Sequence, residues 1–343
     1  MSGLTRNDFG LVELDDSLAN GNGQEHNPSK KKFSLSDAVL SHNQLMEAEL
    51  PERKMVLPWL PEGGLALVSA LRGIGKTFFG MGLGVSVSSG GSFLKWEVKN
   101  TGGVLYVDGE MPLSDLRERY SRFGNDRPEN FYIFSHEWFW NKTEKDLSIT
   151  HPEIQKGIFD FLDSLPHIRL IVLDNLSSLS SIREDRSDDW RESFLPFLIK
   201  CRRRGVAVLL IHHVNKSGEQ RGTGAREDHL DASILLKPLG GESNEGAQFK
   251  VEFTKCRGAY GEVIDPFSAK LITGGELYEW EIGDADLKVK DRLIILIRNS
   301  GSDGITVSEA ADELEVTRGA VSKSKGKLID EGIIRVGKRM LLE

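Results

Sequence analysis

The stretch ALRGIGKT, Ala70 to Thr77, constrains this chain more than any other. It follows the apolar run LALVSA (65–70) and leads into TFFGMGLGVSVSSG, whose small and apolar residues suit a helix packed closely on a sheet. Strand, glycine-rich turn and helix in that order aim backbone N–H groups and the positive end of a helix dipole at one point, which suits a phosphate. The usual spacing is G-x-x-x-x-G-K-[ST], and here Ala70 replaces the first glycine. Gly73 and Gly75 allow close backbone approach, Lys76 is placed for the β- and γ-phosphates, and the Thr77 hydroxyl is placed for Mg²⁺. The expected binding segment is Ala70, Arg72, Gly73, Ile74, Gly75, Lys76, Thr77 and Phe78.

A phosphate loop needs further carboxylates from neighbouring strands. Asp174 ends the apolar run RLIVLD (169–174) and fits the second magnesium-side position; alone it would equally suit a helix cap. Glu110 in VDGEMP lies just beyond the strand GVLYVD (103–108), where open α/β sheets bind ligands, and is the chosen water-orienting group. Asp108 competes for that role, with capping or pairing as its structural alternative.

Apolar strands also appear at VAVLLIHH (206–213), ASILLKP (232–238) and QFKVEFTKCR (248–257). Near-continuous apolar strands alternating with helical segments predict an α/β fold with a mainly parallel twisted sheet covered on both faces; the later, alternating strands suit an antiparallel extension. Residues 1–33 are polar and read as a disordered tail. A short helix is expected between Ser34 and about Glu49, capped by Ser34 or Ser36. The core is assigned to 34–285 and a small C-terminal domain to 286–343.

The chain has 343 residues and a net charge of −8, which argues against a surface that binds nucleic acid everywhere but leaves room for local basic patches. No apolar run approaches the roughly 20 residues of a membrane helix. The N-terminus lacks a signal pattern, and the two cysteines have no metal-like spacing. A cytoplasmic protein without membrane partners is expected.

Taken together, ALRGIGKT, VDGEMP, LIVLDN and LLIHHVNK resemble the RecA-like ATPase core of hexameric replicative helicases, both the DnaB type and the smaller plasmid RepA type. The resemblance covers roughly residues 50–280. The DnaB-type loop also begins with alanine, so Ala70 marks a subtype. The resemblance implies ATP and Mg²⁺ as cofactors and a polar sensor at His213. His212 and His213 point to opposite faces of a strand and are poor joint metal ligands. GTGAREDHLD (222–231) is similar to the family segment that follows the nucleic-acid-facing loop. Lys216 and Arg221 in that loop are then candidates for contact with a single strand in a ring pore, or are ordinary solvated charges. TKCRGAYGE is similar to the family's lysine and arginine pair, which implies that Lys255 and Arg257 reach a neighbouring subunit's site; a hairpin with exposed charges is the alternative. Unlike the DnaB type, the chain has no room for a collar domain in its first 50 residues.

From about Asp286 the pattern changes to three short helices and a hairpin-like tail, a winged helix-turn-helix. Thr306 and Thr317 open its second and third helices. Arg318, Lys323, Lys325, Lys327, Arg335, Lys338 and Arg339 make the recognition segment basic, with Ser322 and Ser324 as further phosphate or base contacts. Protein docking is the alternative use of such a module.

The whole predicts a homo-oligomeric, hexameric DNA motor: a plasmid or mobile-element helicase with single-stranded DNA in its pore and duplex at the winged helix. An ATP-controlled regulator or loader that binds DNA without unwinding it is the alternative, and a recombinase-like filament is a third possibility.

Overall fold

A computed structural model of the chain describes residue 35 and residues 38–50, 52–124, 128–180, 190–214, 228–239, 246–283, 289–301, 304–335, 337 and 339–341. The expected tail (1–33), Ser34, Ser36, Lys216, Arg221 and Lys338 lie outside the described residues. The chain divides into two units, Met1–Arg53 and Lys54–Glu343.

In the first unit, helix α1 spans His42–Glu47. Its cap is Ser41, a correction to the expected Ser34 or Ser36. Ser41 and Gln44 form a reciprocal capping box, the Ser41 hydroxyl accepting from the Gln44 N–H while the Gln44 side chain accepts from the Ser41 N–H. Two otherwise unsatisfied donors are met by that spacing, and this fixes the start of the helix.

The second unit is built on a nine-stranded sheet among the described residues. In chain order its strands are β1 (Leu65–Ala70), β2 (Gly103–Asp108), β3 (Phe131–Ser135), β4 (Ile168–Asp174), β5 (Ala207–His213), β6 (Ala232–Pro238), β7 (Gln248–Cys256), β8 (Phe267–Ile272) and β9 (Glu279–Gly283). In space they run β9-β8-β7-β6-β1-β5-β4-β2-β3. The six from β6 to β3 are parallel, and β7, β8 and β9 add an antiparallel extension.

Every residue of β1 and β2 is buried, as the continuous apolar runs require of strands covered on both faces. Side chains alternate between two cores. Val68, Tyr106, Val172 and Ile211 share one face with helix α2 (Lys76–Ser89), while Leu67, Val107, Leu173 and Leu210 share the other with α5 (Pro152–Ser164) and α7 (Leu195–Arg203). Helix α2 sits close to the sheet because it carries glycine there: a Cβ on Gly80 would come within 2.5 Å of Ile211 Cδ1.

A separate core holds the C-terminal helices α8 (Val289–Asn299), α9 (Val307–Glu313) and α10 (Arg318–Asp330), with Leu293, Ala310, Val321 and Leu328 buried. Thr306 caps α9 in a capping box with Glu309, and Thr317 caps α10, as their positions in the sequence predicted. Ile305 bridges Met340 antiparallel, so the tail returns beside the loop before α9. Arg298 of α8 pairs with the buried Asp265 that precedes β8.

Candidate active site

Parallel strands end on one edge of the sheet, and the residues following β1, β2, β4 and β5 meet there. A cleft of about 480 Å³ is lined by Arg72, Gly73, Gly75, Lys76, Thr77, Phe78, Glu110, Arg119, Asp174, Asn175, His213 and Gly246. Strand β5 lies between β1 and β4, which places His213 between the Lys76 loop and Asp174.

Ala70 is the last residue of β1 and fully buried, paired in register with His213 and Leu236. The first position of the loop is therefore still strand, where a methyl group is accommodated and glycine is not required. The turn proper needs glycine at Gly75, whose φ is +106° and where a Cβ would fall 2.2 Å from that of Ala247.

Lys76 is buried, and its Nζ donates to the carbonyls of Ala70 at 3.0 Å and Leu71 at 2.7 Å. The ammonium thus folds back over its own loop. Burial, partly offset by Asp174 and Glu110, lowers its pKa to about 8.

Asp174 is buried and accepts from the Tyr106 hydroxyl at 2.6 Å and from the Thr77 hydroxyl. Burial is the main influence raising its proton affinity, and these bonds with the nearby Lys76 oppose it. The juxtaposed hydroxyl and carboxylate oxygens are the donor types a hard divalent cation prefers, so Thr77 and Asp174 fit Mg²⁺. No cluster of three or more His, Cys, Asp or Glu suited to a metal occurs among the described residues. The paired histidines separate as their strand requires: His212 is buried and His213 lines the cleft.

The structure separates Asp108 from Glu110. Asp108 is buried and its Oδ2 accepts from the N–H groups of Glu110 at 3.3 Å and Met111 at 2.9 Å, with His136 Nδ1 at 3.4 Å. Burial above all, with Asp174 adding to it and the Met111 and His136 bonds opposing, brings Asp108 to about 6. It holds the turn from within. The Leu113 N–H donates to Glu137 Oε2 at 2.7 Å, so helix α4 (His136–Thr143) clasps the turn from outside. Glu110 is left half-exposed in the cleft, its Oε1 3.9 Å from His213 Nε2.

His213 Nε2 lies 3.0 Å from Asn175 Nδ2. Burial and then Lys76 lower the proton affinity of the ring, and Glu110 alone opposes them. Sequence reasoning missed Asn175, Tyr106 and Arg119. Arg119, in the last turn of α3 (Leu113–Ser121), packs over the Phe78 ring at 4.7 Å. An arginine nine residues after a strand-end glutamate carries no signal by itself; only the turn of α3 brings it back to the cleft.

Lys255 and Arg257 are not brought to this cleft. Ala232 pairs with both Cys256 and Ala66, and the Arg257 N–H donates to Asp231 O. Arg257 is thus level with the start of β1, five residues and roughly 16 Å of strand behind Ala70. Its Nη2 donates to Asp228 O at 2.6 Å. Nearby, the buried Asp231 accepts from the Leu65 N–H and pairs with Arg202, anchoring the start of β1.

Of the described C-terminal basic residues, Arg318, Lys323, Lys327, Arg335 and Arg339 are exposed. Lys325 donates to Gly337 O, and Arg339 to Gly304 O and Glu309, so both also brace the tail. Ser322 is exposed, but Ser324 is buried with Val321 and Leu328, which corrects its expected role as a phosphate or base contact. The three-residue and four-residue spacing of Val321, Ser324 and Leu328 puts Ser324 on the inward helix face.

No helix among the described residues is long and apolar enough to cross a membrane. A family model described as an AAA domain matches residues 30–219, more than half of the chain. The matched span includes Lys76, Glu110, Asp174 and His213 and ends before Lys255 and the C-terminal helices. No curated protein matches the chain.

Proposed function

The chain belongs to the AAA-domain family, and from this premise we propose that it is a hexameric ATP-hydrolysing DNA motor, a replicative-type helicase of a plasmid or another mobile element. The observation that carries the reading is the convergence of Lys76, Thr77, Asp174, Glu110 and His213 on one cleft at the strand ends. ATP would lie across the Gly73–Gly75 turn, with its phosphates at the start of α2. Lys76 would exchange its bonds to Ala70 and Leu71 for bonds to the terminal phosphates. Mg²⁺, held by Thr77 and Asp174, would neutralise charge on the phosphate oxygens. Glu110 would accept a proton from the attacking water, and its half-exposed carboxylate on a turn braced by Asp108 and Glu137 suits that task.

His213 is the proposed phosphate sensor. Lys255 and Arg257, remote from their own cleft, are proposed to serve the cleft of a neighbouring subunit. Hydrolysis would then require assembly, and Lys216 and Arg221 are proposed to contact a single strand within the ring. The three C-terminal helices and the returning tail are proposed to form a winged helix whose Arg318, Lys323, Lys325, Lys327, Arg335, Lys338 and Arg339 meet duplex phosphates.

The separate core of those helices and the exposure of Arg318, Lys323 and Lys327 favour one second reading: an ATP-controlled DNA-binding regulator or loader. A forked-duplex assay separates the two. ATP-dependent strand separation that is lost in Lys76→Ala supports the motor; ATP-gated DNA binding without separation supports the regulator.

A further inference from the structure

Asn175 follows the buried Asp174 and caps the short helix Leu176–Leu179. Its Oδ1 accepts from the N–H groups of Ser177 at 3.0 Å and Ser178 at 3.2 Å and from the Ser178 hydroxyl at 3.1 Å. Three donors on one atom identify it as the amide oxygen, so the NH₂ end is the one that faces His213. An amide NH₂ only donates. His213 Nε2, 3.0 Å away, must therefore accept and carries no proton. The ring proton then sits on Nδ1, which is buried without a hydrogen-bond partner among the described residues. Glu110 Oε1 lies 3.9 Å from the same unprotonated Nε2, and two acceptor atoms do not make an ion pair.

We propose that Asn175 is a positioning residue that holds His213 in its neutral Nδ1–H form and so keeps the Glu110 carboxylate free of a histidine ion pair. This rests on the reading of Glu110 as the base for hydrolysis. The groups facing the ring act in the same sense. Lys76 at the start of α2 and Arg72 in the loop both disfavour an imidazolium, and only Glu110 on its turn favours one. Without the Asn175 donor, the single ring proton would move through solvent from Nδ1 to Nε2 and hydrogen-bond to Glu110, occupying the base. Donation from Nε2 to a phosphate oxygen likewise requires the ring to leave Asn175 and exchange its proton through solvent. The Asn175 bond therefore sets the resting state from which sensing begins.

Two substitutions retain a capping oxygen while removing the donor. Asn175→Ser leaves Nε2 without a protein partner, and Asn175→Asp presents it with an acceptor. Long-range ¹H–¹⁵N spectra of the full chain labelled at histidine, without nucleotide, read the tautomer directly, with His213→Gln assigning the signal. The wild type is expected to show the neutral Nδ1–H pattern, and Asn175→Asp the Nε2–H or doubly protonated pattern. Asn175→Ser should lose the exclusive Nδ1–H pattern, which keeps the test decisive if the Asp variant fails to fold. In steady-state hydrolysis, Asn175→Asp should lower kcat at least tenfold with KM within twofold, and move the acid limb of the pH profile upward. A wild-type Nε2–H pattern, or variants with wild-type spectra, would overturn the proposal. Expected spectra with an unchanged kcat and pH profile would overturn its link to Glu110. Expected spectra in a wild type that hydrolyses no nucleotide would sink the functional reading and leave the Asn175–His213 assignment supported.

Discussion

The carboxylate of Asp108 and the N–H of Met111 are joined by a 2.9 Å hydrogen bond across the turn that carries Glu110. Asp108→Ala removes this brace and is expected to lower kcat about tenfold or more, while Asp108→Asn, whose amide oxygen still accepts, should retain more activity. The pair also predicts a pH signature. Burial raises the folded-state pKa of Asp108 from 3.8 to about 6, so the folded chain binds this proton more tightly than the unfolded chain. The Asp108 contribution to stability is therefore fully present at low pH and falls as pH rises through that window. Urea denaturation of the wild type and Asp108→Asn across these pH values should show a slope difference of that sign.

Gly73 and Gly75 both have positive φ, at +78° and +106°, but differ in surroundings. A methyl group on Gly73 meets open space, whereas one on Gly75 meets Ala247 at 2.2 Å. Gly73→Ala should cost about 1–2 kcal/mol for its left-handed backbone, and Gly75→Ala clearly more. Chemical denaturation of the two variants orders them; equal costs would contradict the packing around Gly75.

Lys76 has two roles that separate experimentally. Its bonds to Ala70 and Leu71 brace the resting loop, and the Ala70 carbonyl also accepts from the Val214 N–H. Lys76→Ala should therefore destabilise the ligand-free protein by about 1–3 kcal/mol, chiefly the cost of leaving the part-buried Leu71 carbonyl unmet. ATP with Mg²⁺ should raise the melting temperature of the wild type and leave that of Lys76→Ala unchanged. A variant stabilised as strongly as the wild type would remove Lys76 from the phosphate site.

Arg257 sits level with the start of β1 while Lys76 lies at the other end of the parallel strands, so joint action of the two would require the proposed contact between subunits. Lys76→Ala and Arg257→Ala proteins should each retain under about a tenth of wild-type ATPase activity. Mixed after dissociation and reassembly, they should recover part of it, because some interfaces then pair an intact loop with an intact arginine. No recovery at any mixing ratio would argue against the trans assignment.

Much of the fold was legible because its signals are local. The apolar runs ending in Ala70, Asp108, Asp174 and His213 become parallel strands because a strand buried on both faces must be apolar throughout. Thr306 and Thr317 were readable as caps because capping depends on a few adjacent residues. Ser41 was missed although it obeys the same rule, since several serines competed and only the Gln44 return bond distinguishes it.

The sequence by itself determined which residues stand at strand ends and at the start of α2, and hence the candidates Lys76, Thr77, Glu110, Asp174 and His213. Only the tertiary structure decided what each one touches. Strand order put β5 between β1 and β4, bringing His213 to Asn175 and Glu110 across gaps in sequence that no local pattern encodes. It turned Asp108 inward and Glu110 outward, although both are carboxylates at one strand end. It also resolved Ala70: the loop's missing glycine falls on a buried strand residue, where a methyl group fills the space and the freedom of glycine has no use.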